Sequence, residues 1–148
     1  MNIDAKIREI VASELPGFSY VFENWYDADT AVDRMALPAI ICVLPVSGTL
    51  ELRNGRSRDS ENLQIAFVDK VPRNANGEDN AAVYNNMKDA AVRFLRGVQK
   101  SGYFAPLPDS ISYRVICERL SSIVTGVCLE LELEELSGTC NGWGKNIR

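Results

Sequence analysis

Ile123-Val124-Thr125-Gly126-Val127-Cys128-Leu129-Glu130-Leu131-Glu132-Leu133-Glu134-Glu135-Leu136 decides the fold. Successive side chains of a strand point to opposite faces, so Val127, Leu129, Leu131 and Leu133 share one face and Cys128, Glu130, Glu132 and Glu134 the other. A sheet containing this strand is apolar on one side and solvated on the other, and the apolar side demands helices. Residues 83–100 supply one: Val83, Met87, Ala90, Ala91, Phe94, Leu95 and Val98 keep helical spacing. Glu78 and Asp79 stand at its start, Arg93, Arg96 and Lys100 toward its end, and Gly102 is placed to terminate it. A second, short amphipathic helix opens the chain, with Ile3, Ile7, Ile10 and Val11 on one stripe and Asp4 near its positive end.

The remaining segments read as strands. Pro16-Gly17 ends the first helix, and residues 18–25 follow with Phe18, Tyr20 and Phe22 on one face. Asp27, Asp29 and Asp33 mark a polar stretch, a solvated turn or helix start; an EF-hand's later glycine and glutamate are missing. The run Ala39-Ile40-Ile41-Cys42-Val43-Leu44 is apolar at every position, as in a strand covered on both faces, and Pro45 is expected to end it. Residues 48–53 start another strand, with Leu50 and Leu52 opposite Thr49, Glu51 and Arg53, and residues 63–68 pair with it. The polar residues 54–62 between them predict a long, mobile hairpin tip, although Asn54-Gly55 favours a tight reversal within it. Residues 111–118, with Ile111, Tyr113, Val115 and Cys117 on one face, complete the set. The fold class is therefore α+β: one mostly antiparallel sheet of about five to six strands, packed against a short N-terminal helix and one long helix. A single domain is expected over 1–136, with 137–148 a flexible Gly- and Asn-rich tail carrying Trp143, an aromatic suited to anchoring in a partner groove.

Composition narrows the function. The chain of 148 residues is long enough to bury a core without disulfides or metal, since a domain of this size hides roughly 70% of its unfolded surface. It contains no histidine, which removes the commonest general base and every Ser-His or Cys-His pair. The four cysteines, Cys42, Cys117, Cys128 and Cys140, lack zinc-ligand spacing, and the first three lie in apolar runs as small buried hydrophobes do. Sixteen Lys plus Arg against twenty Asp plus Glu give a net charge of −4, which draws the chain to neither nucleic acid nor an anionic membrane. No apolar run is long enough to span a bilayer, and residues 1–6 lack a signal peptide's apolar core, so a cytosolic protein is expected. No metal, cofactor or catalytic residue is called.

Two charged groups stand out as contact candidates. Arg53, Arg56 and Arg58 concentrate guanidinium groups at the hairpin tip, beside Asp59 and Glu61; a solubilising loop is the plain reading, and a partner's carboxylates or DNA phosphates the functional one. Glu130, Glu132 and Glu134 lie about 7 Å apart along one strand face, a solvated face that also suits a basic neighbour.

The layout of a short helix, a strand, Leu37-Pro38-Ala39-Ile40 entering a buried strand, a long-tipped hairpin, a helix of about twenty residues, then Tyr113-Arg114-Val115 and Val124-Thr125-Gly126-Val127-Cys128-Leu129-Glu130-Leu131 resembles the tail terminator (tail completion) and minor tail proteins of long-tailed bacteriophages. The resemblance covers roughly residues 1–136 through element order and length. It implies a non-enzymatic virion subunit, made in the bacterial host's cytoplasm, which forms a homo-oligomeric ring capping the tail tube and joining it to the neck. Tube and neck proteins are the implied partners, and subunit contacts fall at residues 53–62 and along 130–134. Two other readings stand beside it: a head-closure or connector subunit, and a small ligand-binding or regulatory dimer whose pocket walls are Tyr20, Phe22, Phe67 and Tyr113. An enzyme built on the carboxylates or Cys128 is a third class.

Overall fold

A computed structural model describes residues 2–32, 34–53, 55–119 and 123–135 of the chain. The expected tail, with Cys140 and Trp143, lies outside the described residues. The elements run α1 (Ile3–Glu14), β1 (Ser19–Glu23), α2 (Trp25–Val32), β2 (Ala39–Arg53), β3 (Arg56–Lys70), α3 (Gly77–Ser101), β4 (Tyr113–Arg119) and β5 (Val124–Glu134). Among the described residues the strands form one five-stranded sheet in the order β1-β2-β3-β5-β4, and an isolated antiparallel bridge, Phe104 with Glu135, prolongs it past the end of β5. Only β1 with β2 is parallel; the other three pairings are antiparallel. The α+β arrangement read from the sequence is the observed one.

The alternation of β5 sorts the two faces as expected. Val127, Leu129, Leu131 and Leu133 join Ile40, Cys42, Leu63, Ile65 and Phe67 in a core roofed by α1 and α3. Phe94 of α3 meets Phe67 edge-on, ring centroids 5.6 Å apart, and both are fully buried. The helices approach each other closely because position 97 is glycine: a Cβ there would lie 2.6 Å from Cγ of Glu14. The start of α3 is fixed by a capping box in which Asn76 Oδ1 accepts from the amide of Asp79 and the Asp79 carboxylate accepts from the amide of Asn76. Its end is Gly102, at φ 73°, a conformation glycine adopts without steric cost.

Three sequence expectations need correction. Residue 25, expected to end a strand, opens a helix, α2, which runs through the polar stretch and settles the choice between turn and helix start at Asp27: Asn24 caps it, accepting from the amide of Asp27 at 2.8 Å and donating to the Asp27 carboxylate at 2.8 Å. Parallel β1 and β2 need a crossover between them, and α2 provides it while covering the opposite face with Ala28 and Trp25 over Ala39, Ile41, Val43, Ala66 and Val68. The sheet is therefore packed by three helices, which explains why β2 is apolar at every position from Ala39 to Val43. Of the three aspartates, Asp27 is in the first turn of α2; Asp33 and the side chain of Asp29 lie outside the description.

Second, Pro45 does not end the strand. Val43 pairs with Gln64 and Ser47 with Asn62, so residues 44–46 stand opposite Leu63 alone, and this irregularity accommodates a residue with no amide proton. Third, the loop expected at 54–62 is a paired ribbon. Its ladder continues to Arg53 opposite Arg56, leaving two residues at the turn, one of them Gly55 at φ 72°.

Candidate subunit interface

The β2–β3 ribbon is the feature that leaves the body of the domain. β5 accompanies β3 as far as Glu134 opposite Ser60, and β1 accompanies β2 only from Ala39 to Val43. From Thr49 opposite Ser60 to Arg53 opposite Arg56, four residues carry the ribbon about 14 Å further, at roughly 3.4 Å per residue.

Its two faces differ chemically. Leu50 pairs with Asp59 and Leu52 with Ser57, on the side that continues the α1/α3 face of the sheet. Leu50 is 73% exposed and Leu52 81%, so a pattern that reads as a half-buried strand is spent on solvent. Residues 49, 51, 53 and 58 occupy the opposite side. There Arg58 Nε lies 2.8 Å from Glu134 in an ion pair and its Nη1 lies 3.6 Å from Glu51, while Arg53 Nε is 3.7 Å from the other Glu51 oxygen. One arginine and one glutamate expected to reach across subunits, Arg58 and Glu134, thus meet within one chain. The side chain of Arg56 lies outside the description, as does Trp143.

Glu130 and Glu132 stay exposed on the same sheet face, opposite Gln64 and Asn62. Gln64 Oε1 accepts from Trp25 Nε1 of α2 at 2.9 Å and from Arg114 at 3.5 Å, and Asn62 donates to Ser47 Oγ at 2.9 Å, so this face is a hydrogen-bonded polar layer that begins at the edge of α2. Glu61, on the leucine side, titrates above its ordinary range: partial burial comes first, then the charges of Asp59 and Glu135.

The other candidates disperse. Tyr20 lies on β1 and Tyr113 on β4, the two outermost strands, about 19 Å apart at 4.8 Å per strand, while Phe67 fills the core; the four aromatics do not converge on one pocket. Cys42 and Cys128 are buried as expected, whereas Cys117, expected with them, is exposed, because β4 is an outer strand whose register shifts after Ile116. Burial pushes the Cys42 thiol up to about 12 and raises that of Cys128 against the opposing Arg114 charge. Tyr20, half-buried and donating to Asp4 at 2.9 Å, holds its proton more strongly than a free phenol. A cleft between α1 and α3 is lined by Glu9, Glu14, Lys100 and Tyr103, but Glu14 pairs with Lys100 at 2.8 Å and Tyr103 donates to Glu9 at 2.8 Å, so its polar groups are mutually satisfied. No group of three metal-ligating side chains occurs among the described residues.

The chain matches no known protein-family model and no curated protein. No helix among the described residues is long and apolar enough to cross a membrane.

The exposed leucines were missed at the sequence level because an alternating strand is normally read as half-buried. The signal was present: the Asn54-Gly55 turn puts Leu50 opposite Asp59 and Leu52 opposite Ser57, where a core is hard to build.

Proposed function

We propose that this protein is a structural subunit that assembles with further copies of itself through the β2–β3 ribbon, and that the assembly is the ring by which a long-tailed phage ends its tail tube and joins it to the neck. The observation that carries the self-assembly reading is the exposure of Leu50 and Leu52 on an arm projecting about 14 Å beyond the last pairing of the sheet. Exposed leucines on a paired, solvent-facing arm stabilise little in the monomer and are a liability for it, whereas burying them against a partner is favourable by roughly 1.5 to 3 kcal/mol for each side chain fully covered. The phage assignment rests on the resemblance in element order read from the sequence, a layout to which the chain adds α2 between β1 and β2.

A ring requires a heterologous contact whose rotation closes, so the surface meeting the arm differs from the arm. Arg53, at the ribbon tip, and the exposed Glu130 and Glu132 are suited to that relationship. Along β3 the tip pair lies six residues, about 20 Å, from the position opposite Glu132, so they meet only between chains. Tube and neck proteins are the proposed further partners, at the ring's two rims.

Light scattering after size exclusion, over a concentration series and followed by negative-stain imaging, tests this. A closed ring growing from the 16.4 kDa chain is expected. A single-chain mass at every concentration overturns the self-assembly reading.

A further inference from the structure

Resting on that reading, we infer that the ribbon joins the next copy by strand addition: the open edge of β2 at Leu50-Glu51-Leu52 pairs with the open edge of β4 at Tyr113-Arg114-Val115, with Glu51 opposite Arg114.

The backbone provides the means. Among the described residues, β2 beyond Val43 is paired with β3 on one side and with no strand on the other, and β4 ends the sheet, paired only with β5. Each edge presents unpaired amides and carbonyls, the groups an added strand satisfies. β4 keeps a regular ladder from Tyr113 to Ile116 before its register shifts, and the ribbon offers Ser47 to Arg53. The seven residues of the ribbon are more than enough to span the four regular residues of β4.

The side chains provide the specificity. Tyr113 is 49% exposed and Val115 43%, two of the few large apolar residues outside the ribbon left in solvent. They flank an exposed arginine as Leu50 and Leu52 flank a glutamate. Directly opposed residues of paired strands share a face, so with Glu51 opposite Arg114 the leucines necessarily meet Tyr113 and Val115. A one-residue slip would set leucine against arginine and is disfavoured. Neither charge is well used within its own chain: Glu51 has guanidinium nitrogens at 3.6 and 3.7 Å, and Arg114 reaches the Gln64 amide oxygen at 3.5 Å. On the apolar face, Lys88 of α3 lies 5.0 Å from the Tyr113 ring centre and has no carboxylate partner among the described residues, while Asp59, across from Leu50, likewise lacks a cation. Strand addition sets these two opposite charges on the same side of the joined sheet.

The two edges cannot meet within one chain. Val115 pairs with Val127 and so lies level with Phe67, whereas Leu50 lies level with Asp59, eight residues or about 27 Å along β3. The occupant of the β4 edge is a second copy of this chain.

The test is a charge exchange read by light scattering. Glu51→Arg sets two guanidinium groups against each other, and Arg114→Glu two carboxylates. Each is expected to raise the concentration needed for assembly about tenfold or more. The double variant Glu51→Arg with Arg114→Glu is expected to assemble as the unmodified chain does, a rescue that damage to the ribbon alone would not give. Unchanged assembly in either single variant, or a double variant that stays a single chain, overturns the inference while leaving self-assembly standing. An unmodified chain that never assembles overturns the parent reading instead. Melting temperatures close to the parent's in all three variants verify the fold, since both side chains are on the surface.

Discussion

Substituting Gly126 by alanine tests the geometry on which the ribbon's position depends. Gly126 lies in β5 between Val68 of β3 and Ile116 of β4. A Cβ on it would fall 1.8 Å from the carbonyl oxygen of Phe67, 2.8 Å from its carbonyl carbon and 2.9 Å from Cα of Val68. All three are backbone atoms of the central strand, so no side-chain rotation relieves the clash, and reaching even 3.0 Å from that oxygen requires a displacement of 1.2 Å. Overpacking in a closed interior costs about 1 to 3 kcal/mol, and a displacement of this size also weakens a ladder bond, about 1 kcal/mol more. Removing glycine's freedom from the unfolded chain returns about 0.4 to 1 kcal/mol. A net loss of about 2 to 3 kcal/mol is expected, or roughly 5 to 10 °C in melting temperature for a chain of this length. The assay is urea unfolding followed by circular dichroism, with Gly77→Ala as the internal control: no atom lies within 4 Å of a Cβ at that helix position, so the same chemical change there is neutral or stabilising. Gly126→Ala within about 0.5 kcal/mol of the parent would refute the close β3–β5 approach.

Three further outcomes follow from the same geometry. In a Cys140→Ser background, a thiol reagent at pH 8 is expected to label Cys117 rapidly and Cys42 and Cys128 only at the rate of unfolding, because both are buried and hold their protons more strongly than a free thiol; mass spectrometry of the labelled chain checks it. Glu61→Gln is expected to raise the melting temperature at pH 7 and to leave it nearly unchanged at pH 4. The folded-state pKa of Glu61 lies above the unfolded value near 4.5, so the folded state binds the proton more tightly and stability falls as pH rises through that window. Replacing Asn76 with alanine removes the side-chain half of the capping box at the start of α3 and is expected to cost about 1 kcal/mol in urea unfolding.

The parts of the fold that were legible in the sequence are those where one physical signal acts alone. The period of β5 and the stripe of α3 each come from a face that must be buried, and both lie where the spacing put them. What was misread came from competing signals. Pro45 is a strand breaker by chemistry, but the irregularity between Val43 and Ser47 absorbs it. The polar run 54–62 outweighed the Asn54-Gly55 turn in the reading, yet the ladder continues through it because ribbon strands need no buried face to pair. α2 is short and begins among aspartates; its local signature, Asn24 three residues before Asp27, left a turn and a helix start both open, and the parallel β1–β2 pairing, a tertiary requirement, decides for the helix. At the candidate interface, the arginine tip and the glutamate row were visible as charge, but the intrachain meeting of Arg58 with Glu134 depends on the register of β3 against β5.

The register irregularity in β2 divides one strand into two environments. Ala39 to Ile41 and Cys42 are fully buried and Val43 nearly so, with neighbours on both faces, whereas beyond Ser47 the same backbone is accompanied by β3 alone and its leucines are in water. Amide hydrogens before the irregularity are expected to exchange only when the domain opens as a whole, and those of the tip by local fraying. The ribbon is thermodynamically insulated from the core that holds it. Its exposed residues, Leu50 and Leu52 foremost, can be rewritten to suit another neighbour at little cost to folding, a liberty that Ala39 to Val43 do not have.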